Sequence, residues 1–132
     1  MNQESRKAGR RLELGALTER IIGAAITVHR TLGPGFLESI YEAALCVELR
    51  TEGIVFQSQV RVPIIYRGVT VGVHRLDLLI EGCLVVELKA VKAVENIHFA
   101  IVKSYLKATG KEHALLLNFC AAPSQIKRVR FP

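Results

Sequence analysis

Apolar residues recur at Leu17, Ile21, Ala25, Val28 and Leu32 in steps of four, four, three and four. That is the spacing of one helix face, so a first helix is expected from about Leu17. Leu32-Gly33-Pro34-Gly35 must break it, because two glycines flank a proline. A second helix is expected over Phe36–Glu52, with Gly53 as its stop. Phe36, Ile40, Ala43 and Val47 form one stripe on it, with Leu37, Tyr41, Ala44, Leu45 and Leu49 in neighbouring positions.

From Ile54 the period falls to two. Val60, Val62 and Ile64 alternate with Arg61 and Pro63, and the proline suggests an edge strand or a bulge. Arg67-Gly68 reads as a turn into a strand over Val71–Ile80. Glu81-Gly82 is the next turn, and Leu84–Ala90 the next strand. A third helix is expected over Val94–Thr109, closed by Gly110. Ala114–Phe119 has the continuous apolar character of a strand buried on both faces, and Ile126–Phe131 is a last strand. Helix, helix, three strands, helix, strand, strand gives an α/β chain with a central mixed sheet. We expect one domain without repeats over residues 14–132, behind a flexible basic segment at residues 1–13.

Composition narrows the classes. The 132 residues carry 18 Lys+Arg against 12 Asp+Glu, a net charge of +6 that suits an anionic partner, nucleic acid first. No uncharged apolar run approaches the roughly 20 residues that span a bilayer. The basic N-terminus has no apolar stretch behind it, so a secretory signal is not expected. Three cysteines (Cys46, Cys83 and Cys120) without a CxxC pair suit buried free thiols in a cytoplasmic protein without membrane association. Aromatic residues are only 6%, which disfavours stacking platforms for single strands.

The candidate chemistry lies in two strands. Glu87 and Lys89 are two apart, so they share a face while Val86 and Leu88 point the other way. They are either a weak edge ion pair or a functional pair that offsets the cost of charge in an apolar strand. Asp77 precedes Glu87 across one hairpin. A strict two-residue turn at Glu81-Gly82 would set Asp77 opposite Val86. A three-residue loop over Glu81–Cys83, or a bulge, would set both carboxylates on one face. Facing carboxylates make a hard oxygen site suited to magnesium or manganese, and the Leu88 carbonyl is a further candidate ligand. Glu38 opens the second helix, where the dipole favours an acid by about 0.3–1 kcal/mol regardless of function. Glu19 and Glu42 attract no functional reading.

Gly35-Phe36-Leu37-Glu38-Ser39-Ile40-Tyr41 spells GxxExxY behind His29-Arg30-Thr31-Leu32-Gly33-Pro34. With Arg75-Leu76-Asp77 and Glu87-Leu88-Lys89-Ala90, it closely resembles the GxxExxY proteins, a group placed in the PD-(D/E)xK nuclease superfamily. The resemblance covers roughly Leu17 to Arg130. It implies a restriction-endonuclease-like core, a mixed β-sheet flanked by helices. It also implies Asp77 and Glu87 as ligands of a divalent ion, Glu38 as a helix-borne addition to them, and Lys89 orienting water and meeting phosphate charge. Related nucleases often carry QxxxY on the helix after ExK; here Tyr105 is present, but the glutamine is Ile101. His98, one turn earlier, either partly substitutes or packs as a satisfied histidine.

The candidate nucleic-acid contacts are His29, Tyr41, Arg75, His98, Tyr105, Lys103 and Lys107. His29 and Tyr41 match family positions without a defined role, and His29 serves equally as a helix cap. Lys103, Lys107 and Lys111 follow steps of four, the default reading of which is a solvated face. The leading expectation is a magnesium- or manganese-dependent nuclease acting on DNA at Glu38, Asp77, Glu87 and Lys89, with a homodimer as a way to extend its grip. The alternatives are a non-catalytic nucleic-acid-binding or assembly module, and an RNA or small-molecule phosphodiesterase.

Overall fold

The computed structural model describes residues 3–120 and 125–132, with side chains from residue 14 onward. Helix α1 spans Gln3–Leu32 and α2 Glu38–Thr51. Strands β1 (Phe56–Tyr66), β2 (Val69–Ile80) and β3 (Leu84–Lys89) follow, then α3 (Asn96–Thr109), β4 (His113–Asn118) and β5 (Gln125–Arg130). The five strands lie in chain order in one sheet. β3 and β4 pair in parallel across the α3 crossover, and every other pairing is antiparallel. The expected order and mixed sheet are those observed. Residues 1 and 2 of the basic segment lie outside the described residues.

Two departures are instructive. The α1 backbone begins at Gln3 rather than near Leu17. Residues 3–13 include three Arg, two Glu and single Gln, Lys, Ala and Leu residues, good helix formers without apolar periodicity to announce them. α2 begins at Glu38, so Phe36 precedes it; Phe36 and the stripe of Ile40, Ala43 and Val47 on α2 face outward, while Tyr41, Leu45 and Leu49 are fully buried. Both stripes are apolar; only contact with the sheet decides which is covered.

One core, containing Ile21, Ala25, Leu45 and Leu49, packs α1 and α2 on one sheet face against Leu78, Val86, Leu88 and Leu117. The other, with Val102 and Leu106, packs α3 on the opposite face against Leu76, Val85 and Leu116. Each fully buried leucine stabilises the fold by about 1.5–3 kcal/mol relative to exposure. Covered on both sides, β3 and β4 are buried along most of their length and, apart from Glu87 and Lys89 in β3 and the end residues His113 and Asn118 of β4, are apolar, as parallel strands usually are.

Pro63 lies on β1, an edge strand, where its missing N–H costs no inner ladder bond. Arg67 (φ 50°) and Gly68 (φ 79°) form the two-residue turn between β1 and β2. Cys46 is buried, Cys83 half-buried and Cys120 exposed, which corrects the expectation of three buried thiols. Among the described residues, no helix is long and apolar enough to cross a membrane.

Candidate active site

The site forms where β2 and β3 part. Their last rungs are Ile80↔Leu84, Leu79↔Val85 and Leu78↔Val86. Ile80 opposite Leu84 means a three-residue connection, Glu81–Cys83, with Glu81 (φ 52°) and Gly82 (φ 68°) left-handed and Cys83 N–H donating to Ile80 O at 3.0 Å. Of the registers open from sequence, this one brings Asp77 level with Glu87. Asp77 Oδ2 accepts the Leu88 N–H at 2.9 Å, so a side chain takes the place of a ladder carbonyl. Lys89 O accepts the Phe119 N–H at 2.9 Å toward β4, so the Leu88 carbonyl, one residue back in an extended strand, points toward the fork.

Glu87 is 3% exposed and in hydrogen-bonding contact with Asp77. Burial, then the bond to and charge of Asp77, push its carboxyl up to about 9, against a smaller opposing pull from Lys89. The fold therefore favours the protonated form of Glu87. Tyr105, from α3, donates its hydroxyl to Glu87; burial first, then the Glu87 and Asp77 charges, raise the phenol to about 12.

Glu38 is the first residue of α2, on the open rim of the same cluster. Partial burial raises its carboxyl, Lys89 lowers it, Asp77 raises it and His98 lowers it. Glu38, Lys89 and His98, with Phe36 and Val91, line a cavity of about 340 Å³. Lys89 thus stands between the buried acids and the open cleft.

Glu42 is the residue that sequence reasoning missed. Its two carboxyl oxygens accept from Gln59 Nε2 at 2.9 and 3.0 Å, and the carboxyl also meets Asp77. Burial raises it, Gln59 lowers it, and Asp77 and Glu38 raise it further. The available signal was its spacing four residues after Glu38, which places both acids on one helix face.

Other candidates lie away from the acids or serve the frame. Tyr41 is fully buried, stacked on Phe119 at 4.8 Å; its hydroxyl donates to Gly33 O at 2.6 Å and accepts from Phe36 N–H at 3.1 Å. It clamps the glycine-proline turn and has no surface to offer nucleic acid, so that expectation is corrected. His29 turns its ring toward Phe119, and its enclosed Nε2 has no partner, so the ring does not cap its helix. His98 Nδ1 accepts the Glu95 N–H at 2.8 Å and caps α3 while its ring borders the cavity. Lys103 and Lys107 are exposed on α3, and Arg75 is exposed on β2.

Among the described residues, no three His, Cys, Asp or Glu side chains converge as a ready-made metal cage. The donors still suit a hard divalent ion. Asp77 and Glu87 crowd each other enough that one keeps a proton, and a backbone carbonyl is directed to the same gap.

Residues 15–129 match the family described as the PD-(D/E)XK nuclease superfamily, and the chain belongs to it. Its fold is similar to the one titled "Crystal structure of SSO0001", with a TM-score of 0.54 and 18% identity over 71% of this chain. The likeness is one of fold alone, and the chain spans half the length of that structure's chain. Comparison with curated proteins gives no match. The architecture is therefore α/β of the restriction-endonuclease-like type.

Proposed function

We propose that this protein is a metal-dependent nuclease of the GxxExxY group, hydrolysing phosphodiester bonds of DNA at Glu38, Asp77, Glu87 and Lys89. The observation that carries the reading is the contact of Asp77 with Glu87 at the parting of β2 and β3, with Lys89 on the same strand face. Asp77, Glu87 and the Leu88 carbonyl would hold magnesium or manganese, with Glu38 at the rim. When bound, such an ion lowers the pKa of water and neutralises phosphoryl charge. Tyr105 orients Glu87, while the Leu88 N–H and Glu42 hold Asp77. The Lys89 ammonium faces the cleft, where it can orient water and meet charge developing on phosphate. A cytoplasmic setting, and a homodimer that extends the grip, belong to the same reading.

The test is cleavage of linear, circular, single-stranded and branched DNA with manganese, by wild type beside Lys89→Ala and Asp77→Asn. Metal-dependent cutting by wild type alone supports the proposal. Ile101, in place of the glutamine of QxxxY, favours a second reading, a binding module that keeps the fold. DNA binding by all three proteins without cutting would replace the nuclease with that module.

A further inference from the structure

The β1–β2 hairpin is much longer than the sheet needs. Pairing between β2 and β3 stops at Leu78, so among the described residues β2 from Val69 to Asp77 has β1 as its sole strand neighbour. At about 3.3 Å per residue this is a ribbon roughly 26 Å long. One face is anchored: Val60, Val62 and Leu76 join the α3 core, and His74 Nε2 meets Ser104 Oγ at 2.8 Å. The other face meets α2 at its base, where Gln59 bonds Glu42, and is exposed beyond it at Arg61, Pro63 and Arg75.

Charge on that exposed stretch has one sign. Arg61 and Arg75 stand directly opposite each other in the ladder, both exposed. Because Val60 and Val62 turn toward α3, the two arginines between these anchored positions turn away from it. Like charges directly opposite destabilise a sheet, and neither arginine has an acidic partner among the described residues. Arg67 adds a third cation at the turn, 5.8 Å from the Tyr66 ring. From Gly53 to Leu76 there is no Asp or Glu at all. Toward the tip, across a register shift between Ile64 and Ile65, the residues Ile65, Tyr66, Val69, Val71 and Val73 are exposed apolar surface.

We infer that this ribbon is a duplex-DNA grip, with Arg61 and Arg75 spanning backbone phosphates and the apolar tip entering a groove. The inference deepens, and rests on, the proposed action on DNA. An apolar patch alone would equally suit a second copy of the chain. Here self-association would bring like-charged arginines together, whereas a polyanion satisfies them. A two-stranded ribbon fits the B-form major groove, about 12 Å wide, but not the deep, narrow one of A-form RNA. The ribbon also leads straight to the acids, since Asp77 lies two residues beyond Arg75.

The experiment is fluorescence anisotropy of a labelled mixed-sequence DNA duplex in EDTA, with wild type, Arg61→Ala/Arg75→Ala and Arg61→Lys/Arg75→Lys. These side chains are exposed, and circular dichroism checks the fold. The alanine pair should bind at least tenfold more weakly, and the slope of log K against log salt should shrink by about two. The lysine pair should keep most of the affinity. An alanine pair within twofold of wild type overturns the inference, as does wild type that fails to bind the duplex. Equal binding of a duplex RNA of the same sequence overturns it too. So does sedimentation showing a dimer that Val69→Ser/Val71→Ser dissolves without changing DNA affinity. Hydrolysis of bis(p-nitrophenyl) phosphate by wild type with manganese tests the nuclease reading separately, so failure of one is not failure of the other.

Discussion

Leu76 and Leu78 are two residues apart in β2, yet they pack into cores on opposite faces of the sheet. Regular strand alternation would place them together. Asp77 lies between them, and Gln59, which falls opposite it without a ladder pairing, has left-handed backbone at φ 52°. Ser58↔Leu78 and Val60↔Leu76 pair on either side, so the ladder is interrupted without a change of register. The interruption turns Asp77 out of the alternating pattern and lets its carboxyl reach both the Leu88 N–H and Glu42.

Gln59 should therefore resist β-branched replacement. Gln59→Val forces a branched side chain into left-handed backbone, at a cost of about 1–2 kcal/mol. Both it and Gln59→Gly lose the bond to Glu42. Urea unfolding should show the valine variant less stable than the glycine variant. Equal stabilities would mean that the backbone conformation is not the reason for the difference from wild type.

The Glu87 carboxyl sets a pH dependence. Its folded value, about 9, lies above the ordinary 4.5, so folding favours the protonated form. The stability it contributes is complete below 4.5 and is lost as pH rises through about 9. In EDTA, the thermal midpoint should fall across that window, and Glu87→Gln should flatten the decline. A midpoint whose pH profile is unchanged by the substitution would contradict this.

Glu42→Gln separates stability from activity. The carboxyl is raised, so its charge is unfavourable in the fold, while a glutamine oxygen can still accept from Gln59. The variant should be more stable than wild type in EDTA at neutral pH. Its half-saturating manganese concentration for DNA cleavage should rise several-fold, because Asp77 loses a charged neighbour. An unchanged manganese requirement would remove Glu42 from the site.

Tyr41→Phe deletes a hydroxyl that bonds both Gly33 O and Phe36 N–H. The loss should cost about 1–3 kcal/mol in chemical denaturation. Cleavage by the folded variant should also fall, because this turn leads directly into Glu38. Full activity with normal stability would show that the clamp is dispensable.

Much of this was legible in sequence. The turns at Arg67-Gly68 and Glu81-Gly82, and the stop at Gly110, marked element ends within a few residues, because turn chemistry is local. Asp77, Glu87 and Lys89 stood out as charges in apolar strands. The register between Asp77 and Glu87 stayed open, since Cys83 suits a loop or a strand equally. Glu42 carried only its spacing from Glu38 as a signal, because Gln59 and Asp77, its partners, are remote in the chain. The buried stripe of α2 was ambiguous for the same reason: two adjacent apolar faces differ only in what they meet. The hairpin was visible as strands, but its overhang depended on where pairing with β3 would end.

β3 is flanked by strands on both edges and by helices on both faces, whereas the outer β1–β2 ribbon, beyond the Gln59–Glu42 bond at its base, is anchored on one face only. Amide hydrogens of Val85 to Leu88 should thus exchange only through global opening, while those near Tyr66 exchange through local fraying. Glu87 and Lys89 ride on the most rigid part of the molecule and Arg61 on one of its most compliant. Positions that must hold to fractions of an ångström are thereby separated from a surface that can flex to follow an irregular polymer.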